Sequence, residues 1–185
     1  YQSANPLITS TKSMEFDGSD DFLKVEDSAN LRGMAALTVC CWVKFDSKND
    51  YAKVLDYSST SGNSQRKYRI QLNNATDQKI QFLIANTSDT TSTITSTDAM
   101  PTDRWVHLVG TFDNSLSANR QSFYIDGVLE NTATAFTETI NNDDSGFLSF
   151  GENTYGSNNF DEYARFDTSG SLLIGKSSDV FGSVG

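Results

Sequence analysis

The sequence predicts a nearly all-β domain, an antiparallel sandwich of two facing sheets. Three observations carry this. Helical periodicity is scarce along the chain; short β-rich runs alternate with clusters of Ser, Thr, Asn, Asp and Gly; and only two prolines interrupt 185 residues. That length fits one domain and is ample for a sandwich core.

The elements follow in order. Residues 1–13 are polar and read as an N-terminal arm or edge strand; residues 14–185 form a single domain. The runs 14–16 and 22–25 flank an acidic turn, Asp17-Gly18-Ser19-Asp20-Asp21. Residues 27–34 read as one short helical turn, capped by Asp27 or Ser28 and ended at Gly33. Residues 36–45 read as a strand buried on both faces, with Leu37, Val39, Cys41 and Val43 on one side and Cys40 and Trp42 on the other. Further strands are expected at 51–57, 67–72 and 79–84, in the β-prone part of 85–99, and at 104–112. The clearest hairpin joins 121–125 to 128–131 through Asp126-Gly127, because glycine accepts the positive φ that a type I′ turn needs. A long polar insert dotted with aromatics covers about 132–168. Residues 145–151 echo 169–175, which predicts two similar strands at 146–150 and 171–175. Val39, Trp42, Trp105, Leu108, Phe123 and Ile125 are expected to fill the space between the sheets.

Charge and composition exclude several classes. With 14 Lys plus Arg against 24 Asp plus Glu, the net charge is -10, and no basic face for a nucleic acid is in sight. The longest apolar stretch, 35–45, is well short of the ~18 residues of a membrane-spanning helix, so no membrane insertion is expected. The two cysteines, Cys40 and Cys41, are adjacent. Neighbours in a strand point to opposite faces, so two free, buried thiols are expected rather than a disulfide. The chain begins at Tyr1, which reads as a processed product or a part of something longer.

Four pieces in sequence carry a resemblance: Met14 to Val25, Leu37 to Lys44, Arg104 to Asp113, and Phe123 to Leu129. A fifth, Leu172 to Lys176, is similar to a penultimate strand. Together they resemble the laminin-G-like branch of the concanavalin A-like lectin/glucanase superfamily. The resemblance implies a jelly-roll sandwich. It also implies a last strand that is not evident at Phe181 to Gly185, so either the sequence is cut short there, or another segment or chain, such as sister or virion subunits, completes the sheet.

The resemblance implies several chemistries, and the residues discriminate among them. Glucanases of the superfamily carry a Glu-x-Asp-x-Glu strand that aligns carboxylates on one face, and no such run occurs here. The single histidine, His107, shares a strand face with Trp105 and reads as a structural residue, not as the base of a triad. Family members can hold calcium at the rim, and Asp17, Asp20 and Asp21 supply three carboxylates in five residues; ordinary turn chemistry explains the same cluster. Asp143, Asp144, Asp161 and Glu162 are secondary candidates. The insert offers aromatic and amide groups suited to sugars: Asn153, Tyr155, Asn158, Asn159, Phe160 and Tyr163. The same aromatics also suit packing of the insert onto the sandwich.

The expected function is a non-catalytic, lectin-like recognition module that binds a glycan or glycoprotein at an extracellular, cell or virion surface. The first alternative is a virion assembly protein, a capsid decoration or tail component using the fold for subunit contacts. The second is a glycoside hydrolase, disfavoured by its missing carboxylates. Apart from calcium no cofactor is expected.

Overall fold

The computed structural model describes residues 14–16, 22–58, 66–74 and 76–151, together with the backbone of 164–166 and 172–174. Among these residues the regular structure is strand, apart from one 3-10 turn. The strands are β1 (Leu23–Glu26), β2 (Ala36–Lys44), β3 (Lys53–Ser58), β4 (Tyr68–Leu72), β5 (Lys79–Ala85), β6 (Thr91–Ala99), β7 (Trp105–Asp113), β8 (Gln121–Ile125), β9 (Val128–Ala133), β10 (Phe147–Phe150), β11 (Ala164–Phe166) and β12 (Leu172–Ile174). They form a six-stranded sheet, order β1-β10-β3-β4-β5-β6, a four-stranded sheet, order β2-β7-β8-β9, and a two-stranded pair, β11-β12. Every pairing between these strands is antiparallel.

The two large sheets face each other across one apolar core. Tyr57, Ile70, Leu72, Ile80, Phe82 and Ile84 project from the larger sheet; Val39, Val106, Leu108, Phe112 and Phe123 project from the smaller. Phe82 and Phe123 stack across the gap at 5.9 Å between ring centres. At Gly110 a Cβ would sit 2.8 Å from the Phe82 ring, so only glycine lets β7 approach the facing sheet there.

Local chemistry sets the connections. Ser28 has extended backbone and its hydroxyl accepts from the Asn30 N–H, which starts the 3-10 turn Ala29–Leu31; Gly33, at φ +66°, turns the chain out of it. Asp126 (φ 52°) and Gly127 (φ 80°) form the expected primed hairpin turn. The first part of the insert is stitched into the body: Ile140 is fully buried, its N–H donates to the Met34 carbonyl, and the Asn141 N–H donates to the Ala85 carbonyl. Phe136 packs on Phe112 at 5.4 Å. Of the two echoing segments, β10 lies inside the six-stranded sheet between β1 and β3, while β12 pairs with β11.

Two expectations are corrected. Strand β2 is not buried on both faces. Its exposure alternates, with Leu37, Val39, Cys41 and Val43 turned to the core and Ala36, Thr38, Cys40, Trp42 and Lys44 turned to solvent. Trp42 is 64% exposed and Trp105 47% exposed, so neither tryptophan fills the space between the sheets. The reason is the pleat: both tryptophans fall on the face opposite Val39 and Leu108, and no layer of the described residues covers that face.

Candidate functional site

The most distinctive surface among the described residues is the outer face of the four-stranded sheet. Register sets its composition. Trp42 on β2 lies opposite His107 on β7, Lys44 opposite Trp105, and Cys40 opposite Val109, which in turn lies opposite Tyr124 on β8. Trp42 and His107 stack, with ring centres 4.8 Å apart and planes 25° from parallel. The hairpin turn holds the strand beneath this stack. The Asp126 carboxylate accepts the His107 N–H at 2.9 Å, the Asp126 N–H donates to the His107 carbonyl at 2.8 Å, and Arg104 reaches the other carboxylate oxygen at 2.8 Å. These bonds, the His107 N–H first and the Arg104 guanidinium next, hold the Asp126 carboxyl below the usual carboxylate range.

Leu129, half-exposed and opposite Tyr124, carries the apolar surface onto β9. Towards the other end of the sheet lies a groove of about 470 Å³, lined by Thr38, Thr111, Asp113, Arg120, Ser122 and Tyr124 among others. That volume lies within the usual range for small-ligand sites. Asp113 at its edge accepts bonds from the Ser115 hydroxyl and N–H, which keep its carboxyl ionised below the usual range. Arg120 donates to the Thr134 and Ala135 carbonyls. The face thus pairs aromatic platforms at one end with a hydroxyl-lined depression at the other. A sugar ring has an apolar C–H face and a polar rim, and such a surface can serve both.

The six-stranded sheet presents a different outer face. There Asp56, 4% exposed, takes a two-pronged contact from Arg69, 8% exposed, at 2.8 and 3.0 Å. Lys53 adds a second cation at 3.2 Å and Ser58 a hydroxyl at 2.7 Å. Burial works to raise the Asp56 carboxyl, but the charges of Arg69 and Lys53 and the bonds from Arg69 and Ser58 outweigh it and hold it below the usual range. A ladder of side-chain bonds continues across the strands, the Gln71 amide donating to Gln81 and the Gln81 amide to the Thr95 hydroxyl. Every charge in this group is answered by a neighbour, which is the pattern of a structural network.

At the rim, Lys67 is fully buried. Its ammonium donates to the Ser145 carbonyl at 2.7 Å and sits 4.4 Å over the Tyr57 ring. Desolvation lowers its pKa, against the pull of Asp143, Asp27 and Asp144. The Tyr57 hydroxyl donates to Asp27, which Arg32 also meets at 3.4 Å. Burial and the bond to Asp27 push the Tyr57 phenol well above its usual value.

The residues singled out from the sequence are placed as follows. Asn153, Tyr155, Asn158, Asn159, Phe160 and Tyr163 lie outside the described residues, as do Asp17, Asp20, Asp21, Asp161 and Glu162. Asp143 is engaged in a turn, accepting from the Ser145 N–H at 2.8 Å. Among the described residues no three His, Cys, Asp or Glu side chains converge as metal ligands would. Asn86 is buried, and its side chain accepts from the Ser88 and Thr90 N–H groups.

The thiols differ from expectation. Both are free, but Cys40 is exposed on the aromatic face while Cys41 is half-buried under the sheet. Burial, and then the neighbouring Cys40, push the Cys41 thiol up to about 11. A thiol-reactive probe at pH 8 is therefore expected to label one equivalent rapidly in the native protein and a second only on unfolding. Cys40→Ser removing the fast phase confirms the assignment.

Trp42, Trp105, His107 and Tyr124 were not combined into a site from sequence. The signal was present, since Thr38 and Lys44 share a face with Trp42, and Thr111 and Asp113 share one with Trp105. Polar residues at period two on both strands mark a face turned to water.

With the fold in view, comparison with known proteins is informative. No curated protein matches the chain. Among solved structures, domain 4 of AbnA, a GH43 extracellular arabinanase from Geobacillus stearothermophilus in complex with arabinotriose, is similar at 18% identity and TM-score 0.50, over 71% of this chain and 58% of that one. Domains LG4-5 of the mouse laminin alpha1 chain are similar at 12% identity and TM-score 0.50, over 80% of this chain and 38% of that one. A native heptameric SAP-like pentraxin from Limulus polyphemus gives 13% identity and TM-score 0.45, over 76% and 67%. The chain thus spans 58% of the length of the arabinanase domain and 38% of the laminin fragment. At these identities the likeness is one of fold. The family profile reaches further, matching residues 17–178. By that match and by its two antiparallel sheets, the chain belongs to the concanavalin A-like lectin/glucanase superfamily.

Proposed function

We propose that the chain is a non-catalytic, lectin-like module that recognises a glycan or glycoprotein through the outer face of the four-stranded sheet. The observation that carries this is the solvent-facing pair Trp42 and Trp105, with His107 stacked on Trp42, beside a groove lined by Thr38, Thr111 and Ser122. Large aromatic surface left in water is costly unless a partner covers it. Indole faces stack on the C–H face of a sugar, and the nearby hydroxyls exchange hydrogen bonds with its rim. The arabinanase domain of similar fold, whose structure is in complex with arabinotriose, supports a sugar as the partner. The non-catalytic reading rests on the carboxylates: Asp56 is held by two cations, and Asp113 and Asp126 are committed to turn bonds. A glycan ligand fits an extracellular, cell-surface or virion-surface setting.

A glycan array followed by titration tests the proposal. Trp42→Ala is expected to weaken binding at least tenfold, about 1.4 kcal/mol. Its folding stability should stay within about 0.5 kcal/mol, because the side chain lies at the surface. An array with no saturable ligand, or binding indifferent to Trp42 and Trp105, overturns it.

A second reading, an assembly protein of a virion, is favoured by Val128 and Leu129. Leu129 extends the aromatic face with aliphatic surface, and Val128 adds an exposed aliphatic side chain at the adjoining hairpin, the chemistry of a protein contact. A virion partner bound with the array blank would establish that reading instead.

A further inference from the structure

We infer that the recognition face takes an uncharged sugar chain laid lengthwise along β7, with Asp113 and Arg120 gripping neighbouring hydroxyls of one unit in the groove. This rests on the recognition reading above and adds the class of ligand. Asp113 ends β7, and Arg120 lies directly across from it, the Asp113 N–H donating to the Arg120 carbonyl at 2.8 Å. Opposite charges so placed on one sheet face ordinarily pair. These two do not, because each is drawn away by bonds of its own. The Ser115 N–H and hydroxyl both bond one oxygen of the Asp113 carboxylate, at 2.9 and 2.6 Å, which leaves the other oxygen to accept. One terminal nitrogen of Arg120 is spent on the Thr134 and Ala135 carbonyls, at 3.2 and 3.1 Å, and Nε is buried without a partner. The second terminal nitrogen remains as a donor. An acceptor and a donor thus stand apart at the groove that both residues line. Adjacent hydroxyls of a sugar ring match them, one donating to the carboxylate and the next accepting from the guanidinium.

The same details select against an acidic sugar. A carboxylate or sulfate is gripped best by two parallel N–H groups on one edge of a guanidinium. Both such edges of Arg120 are broken, one at the spent terminal nitrogen and one at the buried Nε. At the aromatic end Arg104 is answered by Asp126 at 2.8 Å and Lys44 by Asp46 at 3.0 Å. Asp113 keeps its negative charge through the Ser115 bonds, and the whole chain carries -10. An anionic ligand therefore meets no unopposed cationic patch among these residues, whereas an uncharged one meets no repulsion. The stack of Trp42 on His107 sets the length. From His107 to Asp113 β7 runs about 20 Å at ~3.4 Å per residue, room for roughly four sugar units. Val109 and Thr111 line the path between, with Cys40 and Thr38 beside them on β2. These side chains are short, so a sugar chain can lie flat from groove to stack.

Titration calorimetry of the full chain against two panels tests this. One panel holds neutral gluco-, xylo-, manno-, galacto- and arabino-oligosaccharides of two to six units; the other holds oligogalacturonates and heparin fragments of matching length. Saturable binding is expected in a neutral series only, tightening at least tenfold from two units to four and levelling off beyond. Asp113→Asn and Arg120→Gln are each expected to weaken the four-unit ligand at least tenfold, with the fold intact by circular dichroism. Asp113→Asn keeps an oxygen for Ser115 and so guards against misfolding of the arginine variant, which loses its bonds to two carbonyls. An acidic series that binds more tightly than every neutral one overturns the inference, while the recognition reading, tested through Trp42→Ala, stands. So does a two-unit ligand bound as tightly as the four-unit one, or neutral binding that Asp113→Asn leaves unchanged. A chain that binds nothing on either panel removes the recognition reading itself and this inference with it.

Discussion

Arg69→Ala will cost the fold about 3–5 kcal/mol, because it strands the buried Asp56 carboxylate with only Lys53 as a cation. The effect exceeds what a lost hydrogen bond explains, since a neutral bond contributes only about 1 kcal/mol. Chemical denaturation at pH 7 measures it. The pH dependence supplies a second signature. The folded-state pKa of Asp56 lies below the ordinary value, so its stabilisation is present above about pH 4 and is lost as the pH falls through the folded value. Wild-type stability therefore drops on acidification, and the gap between wild type and Arg69→Ala narrows with it. A gap that stays constant from pH 7 to pH 3 would show that Arg69 acts by packing alone.

Phe82→Ala is expected to be as damaging, about 3–5 kcal/mol, for a different reason. The ring is fully buried, stacks on Phe123 across the two sheets, and lies against the bare backbone of Gly110. Truncation opens a cavity between the two sheets, and neither sheet can collapse into it without breaking ladder bonds. Phe82→Leu, which keeps most of the volume, should lose much less. Equal losses for the two would place Phe82 outside the inter-sheet core.

Much of the architecture was legible in the sequence, and the reasons are local. Asp126-Gly127 announced its hairpin because few other pairs accept that turn. The runs at β3, β4, β5, β7 and β8 were legible because β-branched and aromatic residues recur between turn formers. The orientation of the tryptophans was not. Tryptophan in an apolar run reads as core by its type, and only the pleat register of Thr38 and Lys44 beside Trp42 contradicts that. The Asp56–Arg69 pair was hidden as well. Its members are 13 positions apart, and only the β3–β4 register sets them side by side. Ionic partners on different strands leave no periodic trace. Asp27, Tyr57 and Lys67 meet at the rim for the same reason: long-range pairing brings together residues that no short motif connects.

The recognition proposal stands on both tryptophans facing water, and the chain contains only these two. Their fluorescence in the native protein, titrated with iodide or acrylamide, tests that directly. The structure predicts red-shifted emission quenched nearly as efficiently as in the unfolded chain, with both shift and quenching reduced when a ligand covers the face. Blue-shifted native emission protected from either quencher would contradict it, placing Trp42 and Trp105 inside the sandwich and removing the surface on which recognition depends.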